Sequence, residues 1–374
     1  MGWREAVNQA TGPGINLGIT TGEWLKLLAA NGFRIPPRFW PRTAFTTAIS
    51  LVNTAWWATI ESFKYSTTAR QEVPAPIFIL GHWRSGTTHL HNLMSIDERF
   101  AYPRFDQVMI PSTFVTGQWV LWAFSSLLLP RDRMGVDVVK MSPDVPWEEE
   151  FALNILTQMS PYAAWSFPHR VEHYERYITF RGVPQHEIDE WKAAFVWFLK
   201  KLTLKLQRPL IMKSPPHTGR IKLILEMFPD AKFVHIHRNP FTVYQSTKHL
   251  QLKSWEYCAL QTPDEASVHG QVIRQYRLMM DAFFEERSLI PAGRFYEVSF
   301  AELEKDPLCL LERVYQNLSL PDFSVVKPKI ESYCQSLSNY KKNKHIDMPA
   351  AVRDEVSTAW RRSFEEWNYP LTPG

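Results

Sequence analysis

The hydrophobic pattern changes twice within a short stretch near residue 80. Ile77–Leu80 is an uninterrupted apolar run, which predicts a strand buried on both faces of a sheet. After a loop that contains Gly81 and Gly86, apolar residues recur at helical spacing from Thr87 onwards. Strand, glycine loop and helix start together predict an anion cradle, because N–H groups of the loop and of the first helical turn point at one spot where the helix dipole favours negative charge.

The alternation of strands and helices continues along the chain. Further strands are predicted at 210–212, 232–237 and 294–298, and helices at 187–206, 221–228, 272–286 and from 301 onwards. Such alternation predicts a parallel sheet with right-handed crossovers, whose chemistry gathers at the carboxyl ends of the strands. Gly81, Lys213 and Arg238 each lie just past a strand end, so we expect them to share one crevice.

The predicted fold class is therefore α/β, with a P-loop-like, three-layer arrangement of a central parallel sheet flanked by helices. Residues 1–73 have a separate helical character and are predicted to form an N-terminal helical cap, while residues 74–374 form the main domain. Within that domain, residues 97–184 are rich in Pro, Trp and Tyr. We expect this irregular, partly helical insertion to form a pocket over the mouth of the sheet, because such loops carry specificity.

The glycine loop almost reproduces the P-loop pattern Gly-x-x-x-x-Gly-Lys-Ser/Thr. Gly81, Gly86 and Thr88 fit, but Thr87 stands where a P-loop has its lysine, and the cation comes three residues earlier as Arg84. This favours a loop that cradles one phosphate and places a guanidinium beside a leaving group, without magnesium. A P-loop kinase that uses ATP remains an alternative, against which the missing lysine and the lack of an acidic magnesium ligand at a strand end both argue.

A second anion-binding motif follows the strand at 232–237. Arg238 leaves the strand as a planar fork that can bind a phosphate bidentately. Ser246, eight residues further on, lies on the predicted following helix and can donate its hydroxyl to the same group. The sequence therefore predicts a second anion pocket.

The two motifs resemble those of sulfotransferases that use 3′-phosphoadenosine 5′-phosphosulfate (PAPS). The Arg-Ser-Gly-Thr-Thr loop is similar to the bacterial branch of this family, which is related to the tyrosylprotein sulfotransferases, and the resemblance covers residues 74–320. It implies that the 5′-phosphosulfate binds to the loop residues Arg84, Ser85, Gly86, Thr87 and Thr88. It also implies that Arg238 and Ser246 bind the 3′-phosphate and that Lys213 helps to hold the sulfuryl group. The implied reaction transfers this group to a hydroxyl, or an amine, of a small lipophilic or aromatic acceptor and releases adenosine 3′,5′-bisphosphate (PAP).

Sulfuryl transfer needs fixed cations and a base, and no metal. In-line transfer through a loose transition state is served by positioning, with Arg84 and Lys213 stabilising the developing charge. The general base is open between three residues: Glu149 at a predicted helix start, His217 four residues after Lys213, and Asp106. Glu149 is slightly favoured, although first-turn carboxylates also occur simply to complement the helix dipole.

A basic run near the C-terminus, Tyr340–His345, is similar to the loop with which sulfotransferases often close the cofactor site. It makes Lys344 a further candidate for binding PAPS, and a solvated charge run is the equal alternative. His235 and His237 face the same side of a predicted strand, and since no third ligand is apparent we interpret them as packed histidines.

The amino-acid composition and the net charge limit which classes of molecule the protein is expected to bind. Of 374 residues, 45% are hydrophobic and 21% are charged, which is typical of a globular chain with an ample core. The net charge of +4 suits an anionic cofactor but is too weak to indicate nucleic acid. The three scattered cysteines predict neither a disulfide framework nor a zinc site. No signal peptide is apparent, so we expect a cytoplasmic protein.

Two uncharged segments leave a contact with lipid open. Ala44–Ile60 and Val120–Leu129 are strongly apolar, and the first carries two adjacent tryptophans. Both are predicted to be buried helices, or else a surface for a lipophilic substrate or a peripheral contact with a membrane. A non-catalytic, membrane-associated protein on the same fold is therefore a further alternative. The sequence does not indicate an oligomeric state.

Overall fold

A computed structural model describes residues 12, 14–64, 68–123, 142–336 and 348–371. The chain forms two compact units, each assembled from separate stretches of sequence. The first unit comprises Met1–Val73, Pro103–Gln207 and His249–Val268, and the second comprises Pro74–Tyr102, Arg208–Lys248 and His269–Gly374. The predicted N-terminal cap and most of the predicted insertion thus belong to the first unit, and the predicted strands belong to the second.

The second unit is built on a parallel sheet. Its strands are β1 (Ile77–Leu80), β2 (Ile211–Lys213), β3 (Lys232–His237) and β4 (Phe295–Ser299). They lie in the order β2-β1-β3-β4, and each neighbouring pair is parallel. The predicted fold class is confirmed. Because β1 lies between β2 and β3, the loop that follows it has the carboxyl ends of both neighbours beside it.

The helices begin and end close to where the periodicity predicts them. They are α1 (Thr21–Ala30), α2 (Trp40–Trp56), α3 (Thr87–Met94), α4 (Phe105–Met109), α5 (Phe114–Ala123), α6 (Glu150–Thr157), α7 (Ala163–Ser166), α8 (Val171–Glu175), α9 (Gln185–Leu206), α10 (Ile221–Met227), α11 (Pro240–Cys258), α12 (Val268–Glu286), α13 (Phe300–Lys305), α14 (Pro307–Asn317), α15 (Lys327–Ser336), α16 (Ala350–Ala359) and α17 (Arg361–Glu366). Helix α12 starts four residues before the predicted Val272, because Asp264 accepts a hydrogen bond from the Ala266 amide and opens a 3₁₀ turn that leads into it.

The two faces of the sheet follow the alternation of side chains along its strands. On one face, Ile79 and Val234 pack in an apolar cluster with residues of α3, α13, α14 and α15. On the other face, the rings of Phe78 and Phe233 stack at 5.7 Å, and the His235 ring lies 4.0 Å from that of Phe283 on α12. Helices therefore cover both faces, which is why β1 is apolar at every position.

The two histidines of β3 are packed side chains, as the sequence indicates. His235 lies beside the Glu297 carboxylate, with 2.8 Å between Nδ1 and Oε2. The His237 ring stacks on Trp367 at 4.6 Å, and its Nδ1 lies 2.9 Å from the hydroxyl of Tyr369. Burial lowers the pKa of His237 to about 4, so this ring is neutral at physiological pH. The C-terminal residues thereby brace the strand end immediately before Arg238.

Buried ion pairs hold the first unit together. The Glu61 carboxylate accepts hydrogen bonds from the amides of Val115 and Thr116 at the start of α5. Lys201 of α9 lies 2.7 Å from Glu61, and both side chains are almost fully buried. Burial lowers the pKa of Lys201 to about 8, and the Glu61 charge opposes this shift. The segment after α2 is thus tied to two other helices by one carboxylate.

The predicted apolar segment Ala44–Ile60 forms most of α2 and the π-helical turn Trp57–Glu61 that follows it. It is buried along one side only: Thr46 and Ser50 are buried, whereas most of the apolar side chains are exposed. Most of the other segment, Val120–Leu129, lies outside the described residues. Among the described helices, none is both long enough and apolar enough to cross a membrane.

Candidate active site

The loop between β1 and α3 has the backbone of an anion-binding nest. Gly81, Arg84 and Gly86 have positive φ angles of 147°, 69° and 106°. A Cβ atom at Gly81 would lie 2.5 Å from the carbonyl oxygen of Ile236, so only glycine fits there. The Gly81 amide donates to Oγ1 of Thr218 at 2.7 Å. Ser85 thus lies between two residues with positive φ, Arg84 and Gly86, directly before the N-terminus of α3. Such backbone is typical of a loop that surrounds an oxyanion.

Ser85 lies at the centre of this loop. Its side chain is 2% exposed, and its hydroxyl has no hydrogen-bond partner among the described residues. A buried hydroxyl without a partner costs about 1–3 kcal/mol, so it is usually explained by a group that binds there. A phosphate or sulfate oxygen would accept this hydrogen bond. The loop residues therefore fit the anionic end of PAPS.

The two anion motifs of the sequence meet in the second unit. The Nε–H of Arg84 donates to Oγ of Ser246 on α11 at 2.7 Å. The guanidinium of Arg238 donates to the carbonyl oxygen of Arg84 at 3.3 Å and lies over the ring of Phe300 at 4.2 Å. The Arg84 side chain therefore reaches the serine that was predicted for the 3′-phosphate. One loop backbone supports both predicted pockets.

Lys213 and His217 follow β2, beside this loop. Lys213 is buried, and its ammonium lies 3.3 Å from Oγ1 of Thr88 in the first turn of α3. His217 is fully buried in the 3₁₀ turn Pro215–Gly219, edge-on to the ring of Phe78 at 5.5 Å. The structure thus brings Lys213 to the cradle and packs His217 against the sheet. The assignment of His217 as the base stays a prediction.

The other two candidate bases belong to the first unit. Glu149 is fully buried directly before α6, and its neighbour Glu148 accepts a hydrogen bond from Tyr162. Asp106 is also fully buried; Arg104 lies 3.1 Å away, and the indole N–H of Trp122 donates to it at 2.7 Å. Burial raises the pKa of Asp106, and its partners oppose this shift only in part. The roles of these carboxylates stay predictions. Lys344 lies outside the described residues.

Several contacts of the site have no signal in the local sequence pattern. A Cβ atom at Gly86 would lie 2.3 Å from the ring of Phe300, so this ring explains the second glycine of the loop. Phe300 directly follows β4, and the rule that functional residues follow strand ends could have found it. The contact of Thr218 with Gly81 joins residues 137 positions apart, and no period in the sequence predicts it.

A parallel sheet with a glycine loop after an inner strand, and an arginine after the neighbouring strand, is typical of P-loop-like α/β proteins that bind anionic ligands. Comparison with known proteins narrows this class. The model of the sulfotransferase family matches residues 76–324, and the chain belongs to this family. It is a sulfotransferase, so a sulfuryl donor takes the place that ATP has in the kinase alternative. Within the described residues, no cluster of His, Cys, Asp and Glu could hold a metal ion.

Relatives and solved structures agree with the family. The chain is 31% identical over 356 residues to the omega-hydroxy-beta-dihydromenaquinone-9 sulfotransferase Stf3 of Mycobacterium tuberculosis, covering 94% of this chain and 90% of the relative. The crystal structure of sulfotransferase STF9 from Mycobacterium avium is similar with a TM-score of 0.67 at 16% identity, covering 95% of this chain and 98% of that one. Sulfotransferase STF1 from Mycobacterium tuberculosis gives 0.61 at 19% identity, with 91% of each chain covered.

Proposed function

We propose that the donor is PAPS, bound with its 5′-phosphosulfate in the loop of Arg84–Thr88 and its 3′-phosphate between Arg238 and Ser246. The observation that carries this proposal is the contact of Arg84 with both Ser246 and Arg238, because it connects the residues of the two predicted anion pockets. A nucleotide with anionic groups on both sides of its ribose suits such a pair. The buried hydroxyl of Ser85 supports the same assignment.

Bound PAPS supplies a sulfuryl group on a phosphate leaving group. The chain supplies charge and position: Lys213 is buried beside Thr88, and a buried ammonium stabilises negative charge more strongly than a solvated one. Arg84 adds a second cation on the same loop. Removing one such contact typically raises the barrier by ~3–4 kcal/mol. The base that takes the acceptor proton is proposed to be Glu149, with His217 and Asp106 as alternatives.

The acceptor is proposed to be a lipophilic molecule with a hydroxyl group. The relative Stf3 is named for omega-hydroxy-beta-dihydromenaquinone-9, and 31% identity over nearly the whole chain supports a related acceptor class here. The predicted insertion at 97–184 is the proposed acceptor pocket. We propose a cytoplasmic protein that contacts a membrane peripherally, since a lipophilic acceptor partitions into a bilayer.

The donor assignment is tested by nucleotide binding and by turnover. PAP is expected to stabilise the protein against heat, and the Ser246→Ala variant to need several-fold more PAP for the same shift. Transfer of labelled sulfate from PAPS to ω-hydroxylated quinols is expected to exceed transfer to water-soluble phenols. Stabilisation by ATP with magnesium, and none by PAP, would contradict the proposal.

A further inference from the structure

Helix α2 has its polar side chains inside and its apolar side chains outside. On its inner side, Oγ1 of Thr47 accepts from the indole N–H of Trp24 at 2.8 Å, and Oγ1 of Thr54 accepts from the amide of Thr21 at 2.8 Å. On its outer side, Leu51 is 58% exposed. A surface helix of a water-soluble protein normally has the opposite polarity. The outer side of α2 therefore suits an apolar neighbour.

The exposed apolar side continues onto helix α5 of the same unit. Trp56 donates its indole N–H to Oγ1 of Thr116 on α5 at 2.9 Å, and its ring lies 6.2 Å from that of Trp119. We call the resulting surface the aromatic face; its exposed members are Leu51, Val52, Trp57, Ile60, Phe63, Trp119 and Trp122. Phe63 and Trp119 are 80% and 63% exposed, so the face is not a margin of the core. Contiguous exposed surface of this kind marks a binding site.

Buried charges fix the aromatic face in place from beneath. Glu61 holds the end of the α2 segment against α5 and pairs with Lys201, and Asp106 accepts from the indole of Trp122. Glu61 and Asp106 are at most 1% exposed, so these contacts hold their segments in place without adding a charge to the exposed surface. The residues of the aromatic face therefore lie on backbone that buried contacts hold in position.

The charges that are exposed along α2 and the turn before it are cationic. From residue 39 to residue 63, the charged residues are Arg42 and Glu61, and both are at most 2% exposed. Just before α2, Arg34 and Arg38 are exposed. An apolar face whose helix is preceded by exposed arginines, which we call its basic margin, complements an anionic bilayer, because apolar side chains enter the acyl boundary while arginines meet the headgroups. Tryptophan is the residue that favours this boundary.

We propose that the aromatic face binds the surface of an anionic lipid bilayer, with the tryptophan and leucine side chains at the acyl boundary. The inference depends on the proposed function only for its purpose, which is to bring the enzyme to a lipophilic acceptor. Binding itself requires neither donor nor acceptor, so it is tested without them.

The test is flotation of the full chain with vesicles of phosphatidylcholine, with and without phosphatidylglycerol. The wild-type protein is expected to float with the anionic vesicles, and the double variant Leu51→Glu, Trp119→Glu to lose at least about tenfold in partitioning. The matched control is Leu289→Glu, Val325→Glu, two side chains that are 51% and 63% exposed in the second unit; it adds the same charge and should float like the wild type. Cooperative thermal unfolding of both variants, close to that of the wild type, shows that they are folded.

Three results would overturn the proposal. The first is wild-type protein that stays in solution with anionic vesicles, and the second is equal flotation of the Leu51→Glu, Trp119→Glu variant. The third is a wild-type dimer that this variant splits, because a second copy would then cover the face in place of lipid. Weaker flotation with vesicles of phosphatidylcholine alone is expected, since the basic margin then has no partner.

Discussion

Replacing Arg238 by alanine should remove affinity for one phosphate of the nucleotide and leave the rest intact. The guanidinium lies at the end of β3, 4.2 Å from the ring of Phe300, and donates to the Arg84 carbonyl at 3.3 Å. Two charge-assisted hydrogen bonds to a 3′-phosphate would each contribute about 1.5–3 kcal/mol before screening. Allowing for the partial exposure of this arginine, we expect a loss of about 3 kcal/mol, which is roughly a hundredfold in Kd.

The assay is calorimetric titration of wild-type and Arg238→Ala protein with PAP and with adenosine 5′-monophosphate, which lacks the 3′-phosphate. PAP should lose roughly a hundredfold in affinity, whereas the monophosphate should change by less than about threefold. Arg313→Ala is the control, because Arg313 is an exposed arginine that pairs with Glu302 on another helix of the same unit. Thermal unfolding of both variants reports any loss of the folded state.

An equal loss of affinity for both nucleotides would refute the reasoning. Arg238 would then support the Arg84 loop without contacting the 3′-phosphate, and the second anion pocket would lose its evidence. A loss for PAP alone, together with an unchanged melting temperature, would establish the pocket and separate it from the binding of the 5′-group.

Three further predictions concern stability. Gly86→Ala should lower the free energy of unfolding by at least about 2 kcal/mol, because φ is 106° at this position and the new Cβ would lie 2.3 Å from the Phe300 ring. Calorimetric unfolding measures this loss, and adding Phe300→Ala should relieve part of it. Burial lowers the pKa of His82 from 6.5 to about 3, so as the pH falls the unfolded chain takes up this proton before the folded chain does. The free energy of unfolding should therefore fall below pH 6.5 by up to about 1.4 kcal/mol per pH unit. Urea titrations between pH 7 and 4 should show a shallower fall for His82→Asn. Lys201→Met should lower the free energy of unfolding by about 3–5 kcal/mol, because the Glu61 carboxylate would stay buried without its cation. Adding Glu61→Gln should restore part of this stability. An unchanged free energy of unfolding in urea titrations would mean that water solvates the Glu61 charge.

The glycine loop and the residues that follow β3 could be recognised in the sequence because they are built from local patterns. An apolar strand, a loop with two glycines and a helix start lie within 18 residues, and Arg238 with Ser246 lie within nine. Each pattern has a short period or a fixed spacing, so it can be recognised without knowledge of tertiary contacts. Their joining through Arg84 also follows from the strand order, since β1 and β3 are neighbours.

Contacts between distant stretches could not be predicted in this way. Thr218 and Phe300 meet the glycine loop only because parallel strands bring their ends together, and nothing at either position marks the partner. For α2, the polar stripe of Thr47, Ser50 and Thr54 is visible at helical spacing. The sequence does not tell whether this stripe faces water or protein, because hydroxyl groups can hydrogen-bond in either setting. That choice depends on Trp24 and Thr21, which occupy the inner side.

The two units alternate along the sequence, and this limits how one unit can be removed or replaced without the other. Each unit is assembled from three stretches, and the chain passes between them within α11 and at the start of α12. No single cut in the gene yields either unit whole, and a premature stop codon before residue 269 removes parts of both. A chimaera that replaces the first unit and keeps the second would have to exchange three discontinuous blocks together.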